Sequence, residues 1–270
     1  MSDANSPAGQ IGQTRILGVP ISLTDLSRAS RQISGWARAK TRSYAVFVRD
    51  TPSVALVAGE PHLLALHEKA SLVVADGLPL VWTCRIYGRA KDINRVPGAD
   101  LVDEMCKLSL VTGQSHYFYG GRPQVAQRMA EKLSERYPGL KIAGICCPPM
   151  LNVDANFRFE GPSLRDLEAI RDSGADFVWV GISTPKQEYW IGKATELVPQ
   201  GVFLGVGAAF DFHAGSIPRA PNWMKNNGLE WFYRLCKEPR RLWRRYLVLA
   251  PIFVIKSTAE FTRRSFERGL

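Results

Sequence analysis

Three things are scarce or missing in this 270-residue chain: cysteine, long apolar runs and the D-x-D pair of acids. The five cysteines (Cys84, Cys106, Cys146, Cys147, Cys236) form no C-x-x-C pair and are odd in number. That pattern argues against a zinc ribbon or a disulfide framework and suits a reducing compartment. No stretch reaches the roughly 18 apolar residues that a membrane-spanning helix needs. Residues 1–14 are rich in Ser, Ala, Gly and Gln without an apolar centre, so they read as a disordered start rather than a signal peptide. No D-x-D occurs, and His62, His67, His116 and His213 lack H-x-x-x-H spacing, so no metal site is expected.

What is present describes a globular protein. The chain is 46% hydrophobic and 22% charged, with 23 Gly and 17 Pro, enough for one large domain or a core with an appendage. Its net charge of +10 favours anionic partners such as nucleic acid, anionic lipid or phosphate-bearing substrates. The charge is unevenly placed. From Glu230 to Leu270, ten Lys/Arg stand against four Glu, so +6 of the excess lies in the last 41 residues.

Along the chain, strand and helix patterns alternate. Arg15–Pro20 reads as a short strand ended by its proline, and Leu23–Ala39 as a helix capped by Ser22 or Thr24. A strand at Ser43–Val48, a helix over 52–69 and a strand at 72–75 follow, then a helix from about Pro79 through Trp82 to Tyr87 and another over 99–111. Strand Ser115–Tyr119 leads through Gly120-Gly121 into a helix ending near Arg136, with Val125, Met129 and Leu133 on one face. Strands Leu140–Ile145, Asp176–Val180 and Gly201–Val206, with a helix at Ser163–Arg171, complete the pattern. Such alternation predicts an α/β fold with a doubly wound, mostly parallel sheet over residues 15–228. Residues 229–270 form a helical, basic appendage.

Several strand ends carry chemistry. Asp76-Gly77 follows the apolar run Leu72–Ala75, where an α/β fold places an acid at a ligand cleft; a plain Asp-Gly turn is the alternative. Gly120-Gly121 suits either a phosphate cradle at a helix start or a tight turn. Gly205-Val206-Gly207 lacks the third glycine of the dinucleotide fingerprint, which disfavours a nicotinamide or methyl-donor enzyme. In the loop 181–188, Thr184 and Gln187 form a capping box, or Gln187 binds sugar or phosphate. Asp211 is placed to accept from a uracil N–H or a ribose hydroxyl.

Taken in order, the segments Ala75–Trp82, Arg95–Leu101, Phe118–Gly121, Gly181–Glu188, Gly205–Gly215, Ala220-Pro221 and Gly228–Trp231 resemble the WecG/TagA/CpsF family of bacterial glycosyltransferases, over about residues 15–250. The resemblance implies a Rossmann-like sheet and a metal-independent, inverting transfer from a UDP-sugar to a polyprenyl-diphosphate-linked saccharide, with no cofactor. It implies Asp76 as base, Gln187 as its polar partner, and Arg95 near the diphosphate. Asp50, Thr51, Gly77, Gly120, Gly121, Pro185, Lys186, Gly207 and Asp211 are the candidate substrate-binding residues. Many members carry Thr-x-Asn where this chain has Val48-Arg49-Asp50-Thr51, which leaves the donor sugar open.

In the appendage, Arg234, Arg240, Arg241, Arg244 and Arg245 interleave with aromatic and aliphatic residues. That pattern suits a patch lying on anionic lipid at the inner face of the cytoplasmic membrane, bringing the acceptor to the site. A helix packed on a partner subunit is the other reading, so a homo-oligomer stays open. Nucleic acid is not expected as a partner, because the basic stretch is terminal and apolar and no nucleic-acid module is recognised.

Overall fold

A computed structural model describes residues 11–88, 91–149 and 162–267. Disorder is expected from the sequence over residues 1–14; residues 1–10 lie outside the described residues, and the expectation fails at Gln13 and Thr14, which pair with Ser22 and Ile21 in a strand. A hairpin comes first, β1 (Gln13–Ile16) and β2 (Val19–Ser22). Then follow α1 (Leu26–Ala39), β3 (Ser43–Arg49), α2 (Thr51–Ala58), α3 (Pro61–Lys69), β4 (Leu72–Ala75) and α4 (Leu78–Gly88). The middle of the chain holds α5 (Gly98–Thr112), β5 (Ser115–Gly120), α6 (Val125–Arg136), β6 (Lys141–Cys146), α7 (Leu164–Ser173) and β7 (Phe177–Gly181). Next come α8 (Lys186–Leu197), β8 (Gly201–Gly205) and the short α9 (Ala209–His213) and α10 (Asn222–Asn226). The C-terminal segment is α11 (Glu230–Lys237), α12 (Pro239–Trp243), a π-helical turn over Arg244–Leu249, and α13 (Ala250–Glu267).

Six strands form one sheet in the order β4-β3-β8-β7-β5-β6, and every pairing is parallel. Parallel neighbours need crossover helices, which cover both faces and bury both sides of each strand. The alternation is explicit. Phe47, Val73, Tyr119, Val178 and Phe203 face a core shared with α2, α3 and α8. Val46, Val74, Phe118, Trp179 and Leu204 face the opposite core, shared with α1, α5 and α6. Val125, Met129 and Leu133 of α6 are all buried in the second core, as their helical spacing requires.

Three local expectations give way. The region around Arg15–Pro20 is a hairpin rather than one strand: Leu17 (φ 52°) and Gly18 (φ 82°) make its two-residue turn, and Pro20 sits in the second strand opposite Arg15. The first helix starts at Leu26, capped by Asp25, whose carboxylate accepts from the Arg28 N–H at 2.9 Å. The helix expected over 52–69 divides at Gly59-Glu60, because Pro61 cannot donate the backbone bond that would continue it.

The C-terminal segment packs on the core. Phe253 of α13 is buried in the same cluster as Val54 and Leu80. Glu260 accepts from the Leu17 N–H at 2.9 Å, and the Tyr87 hydroxyl donates to the Ser257 carbonyl.

Candidate active site

A cleft of about 1070 Å³ opens where the C-terminal ends of β4, β3, β8 and β7 meet the C-terminal segment. Ligand sites of open α/β sheets form at this edge, because loops leaving the strand ends can diverge around a substrate. Each of the four strands delivers residues to it. β4 leads to Asp76 and Gly77, and β3 to Asp50 and Thr51; β7 leads to Thr184 and Gln187, and β8 to Gly207 and Asp211. Arg95 enters from the loop before α5, and Arg234, Arg241, Arg244 and Arg245 from the C-terminal segment.

Asp76 lies half-buried in this cleft. Its N–H donates to the Arg49 carbonyl at 2.7 Å, which extends the β3–β4 ladder by one bond. Burial, then the nearby negative charges of Glu230 and Asp50, push its carboxyl up to about 7, while Arg234 and Arg95 pull the other way. A carboxyl titrating near neutrality can both accept and release a proton at physiological pH.

Asp50 has the opposite character. Its carboxylate accepts from the Ser53 N–H at 3.1 Å as the cap of α2, and receives Arg245 on both oxygens. The Arg245 distances are 2.8 and 2.9 Å from Nη2 and 3.3 Å from Nε. Those four bonds occupy the acceptor positions a carboxylate offers. Burial opposes its ionisation, but Arg245 and Ser53 outweigh burial and hold the carboxyl below its ordinary value. Asp50 was a candidate substrate ligand from the sequence; its oxygens are already engaged within the protein.

Gln187 lies at the cleft floor, with 3% of its surface exposed. The capping box expected with Thr184 does not form, and Pro185 precedes α8 with no side-chain cap. The Gln187 Nε2 instead donates to Glu188 Oε1 at 2.9 Å, and Glu188 in turn is ion-paired with Arg49. Arg49 Nη1 also donates to Thr184 Oγ1 at 3.1 Å. Arg49 and Glu188 are 1% and 0% exposed. No local motif marks Arg49 and Glu188 as partners, since they stand 139 residues apart, and only the fold brings them together as a buried pair linking β3 to α8 beneath the cleft. Glycine at 205 makes room for the amide, since a Cβ there would stand 3.2 Å from Gln187 Nε2.

Other candidates fall outside the cleft. Gly120, Gly121, Pro185, Lys186 and Arg240 do not line it. The Gly121 N–H donates to the Gly181 carbonyl at 2.9 Å, and a Cβ on Gly120 would sit 2.8 Å from the Gly181 carbonyl carbon. The two glycines therefore let the β5 turn close against the β7 loop, and the Gly121 donor is used up in that contact. The cleft also gains residues that were not singled out as candidates: Glu230, Arg219 and the apolar wall formed by Trp82, Ile86, Val254 and Phe261. Glu230 belongs to the Gly228–Trp231 motif, which is the signal that could have found it.

The arginines divide by partner. Arg245 is tied to Asp50, Arg219 to Asp100 at 2.8 Å and Arg241 to Glu238 at 2.6 Å. Arg95, Arg234 and Arg244 line the cleft and have no carboxylate within ion-pair distance among the described residues. Positive charge and a near-neutral carboxyl beside an apolar wall suit an anionic substrate carrying a hydrocarbon part.

The model of the Glycosyl transferase WecG/TagA/CpsF family matches residues 14–267. The chain belongs to this family. The match runs through α13, so the C-terminal helices are part of what the family shares. Among curated relatives, this glycosyltransferase is similar to the N-acetylglucosaminyldiphosphoundecaprenol N-acetyl-beta-D-mannosaminyltransferase of Bacillus spizizenii (strain ATCC 23059 / NRRL B-14472 / W23). The two are 29% identical over 191 residues, which covers 69% of this chain and 68% of that protein. Family membership decides for glycosyl transfer over the nicotinamide, methyl-donor and nucleic-acid readings. No helix among the described residues is long and apolar enough to cross a membrane.

Proposed function

We propose that this glycosyltransferase moves a hexose-type sugar, with inversion, from a UDP-sugar to a saccharide carried on a polyprenyl diphosphate, for a cell-surface polysaccharide. The Bacillus relative is named for transfer of N-acetylmannosamine to an N-acetylglucosaminyl-diphosphoundecaprenol, which makes that donor and acceptor the first pair to test. The observation that carries the reading is Asp76: an acid at a strand end, with its carboxyl at about 7, in a cleft also lined by Arg95, Arg234 and Arg244, which have no carboxylate partner among the described residues.

In the proposed reaction the acceptor hydroxyl attacks the anomeric carbon from the face opposite the leaving group. Asp76 takes the hydroxyl proton as the new C–O bond forms. The bond from the anomeric carbon to the diphosphate oxygen breaks, and UDP departs with that electron pair. Arg95, Arg234 and Arg244 meet the growing diphosphate charge, and this counter-charge is the role a metal plays in other transferases. Asp211, which lines the cleft and lies 3.2 Å from Arg122, is assigned to the nucleoside. Trp82, Ile86, Val254 and Phe261 are assigned to the membrane side, where the protein lies peripherally on the inner face of the cytoplasmic membrane and the acceptor's lipid enters.

The test is a panel of UDP-sugars offered with a short-chain polyprenyl-diphosphate saccharide and read by mass spectrometry, with and without EDTA. Transfer from at least one donor, unchanged by EDTA, is expected. Turnover lost to EDTA and restored by a divalent cation would overturn the arginine role, and no transfer from any UDP-sugar would overturn the donor class.

A further inference from the structure

Asp50 and Asp76 close two neighbouring parallel strands. β3 and β4 pair Arg49 with Ala75, so the two acids stand in equivalent positions one residue beyond that pair. Adjacent strands lie about 4.8 Å apart, which sets the two backbones side by side. The Asp50 charge is felt at Asp76, so the two acids do not ionise independently, and their surroundings decide which one keeps the charge.

The chain gives them unequal surroundings. Asp50 holds the Ser53 N–H and a two-pronged Arg245, the latter delivered from the π-helical turn across 195 residues of sequence. Asp76 makes no side-chain hydrogen bond among the described residues. The charged groups around it are Glu230 and Arg234 from α11, Arg95 from the loop before α5, Asp50 from β3 and Arg245 from the π-helical turn. Tyr246 is also near, with its phenol pushed up by burial and so neutral at physiological pH. Three of these charges, Glu230, Arg234 and Arg245, arrive on one continuous segment whose direct ion pair to the β3–β4 strand ends is Arg245–Asp50.

We infer that Asp50 and Arg245 are positioning residues for Asp76. Their ion pair keeps Asp50 a spectator carboxylate, seats the C-terminal segment over the cleft, and leaves Asp76 as the group that takes up the proton. The inference rests on the reading of Asp76 as the base. It also accounts for the Asp at position 50: a carboxylate there can hold an arginine on both oxygens, whereas an amide offers one acceptor oxygen.

The test follows Asp76 directly, in the substrate-free full chain, by NMR of ¹³C-labelled aspartate carboxyls against pH, with Asp76→Asn to assign the signal. Asp50→Asn keeps an α2 cap, removes the neighbouring charge and frees Arg245, so the Asp76 midpoint falls by on the order of 1 pH unit. Arg245→Met leaves Asp50 charged and unpaired, so the midpoint rises. Asp50→Asn combined with Arg245→Met lies between wild type and Asp50→Asn. It leaves no unpaired carboxylate, so these two variants decide the matter should Arg245→Met fail to fold. Midpoints in that order support the pair. An Asp50→Asn midpoint at or above wild type, or shifts of one sign in both single variants, would overturn it. Because no sugar is present, the midpoints stand whether or not any UDP-sugar proves to be the donor. Turnover profiles on the same variants then show separately whether Asp76 is the base.

Discussion

Replacing Asp76 by Asn is expected to stop turnover and, above neutral pH, to stabilise the protein. In the folded chain the Asp76 carboxyl titrates at about 7, against an ordinary value of 3.8. Between those values the folded protein holds a proton that the unfolded chain has released, so stability falls as pH climbs through that window and the full cost is present above 7. At roughly 1.4 kcal/mol per pH unit, a fully dry site would cost about 4 kcal/mol. Asp76 is only half-buried, so screening by water brings the working figure to about 2 kcal/mol. Asn carries no charge and escapes this cost. Its gain is roughly a third of the full value at pH 5 and full at pH 8, where it corresponds to a rise in Tm of roughly 5 °C for a chain of this size. Thermal melts of both proteins at the two pH values, with turnover measured at pH 8, test the reasoning. Turnover lower by about 10²-fold or more is expected from loss of the base. An Asn variant no more stable than wild type at pH 8 would refute the buried-charge argument. Near-normal turnover would refute the base.

Other substitutions probe the surroundings. Glu230→Gln removes a like charge beside Asp76, so the acidic limb of kcat/KM moves to lower pH by on the order of 1 unit; a limb that stays put would show that Glu230 does not act on the base. Arg49→Met strands Glu188 in the interior and costs about 3–5 kcal/mol, whereas Arg49→Met with Glu188→Met costs far less. Urea denaturation separates the two, and equal losses would contradict the pairing. Arg240 and Arg263 are both exposed, so changing them to Glu weakens pelleting with anionic vesicles at low salt, at about 1 kcal/mol for each positive charge removed from the surface; unchanged pelleting would rule out an electrostatic membrane contact through these residues. Charge reversal is a cleaner test than removing the segment, because Phe253 is buried in the core.

Much of the architecture was legible because its signals are local. The apolar run Leu72–Ala75 reads as a buried strand and is β4, with Asp76-Gly77 directly after its end. Spacing alone put Val125, Met129 and Leu133 on one helical face. The misreadings share a cause, since each depends on a backbone conformation or partner that composition does not carry. Pro20 reads as a terminator until the Leu17-Gly18 turn folds a second strand back over the first. Thr184 and Gln187 have capping-box spacing, but the buried Glu188 takes the Gln187 amide instead. Gly120-Gly121 resembles a phosphate cradle until the Gly181 carbonyl is found against it.

The alternation of strands and helices, the basic C-terminal end and the motif order that carries the family are all present in residue order, because they depend on side-chain periodicity and on residues near one another in the chain. Tertiary structure alone decided the electrostatics of the cleft. It set Asp50 beside Asp76 through strand register, and brought Arg245 to Asp50 and Glu230 toward Asp76 from the far end of the chain. Whether a carboxyl is a spectator or a base depends on which charges stand within a few ångströms of it and how much water remains. Those distances exist only once the sheet is formed and the C-terminal helices have closed over its edge.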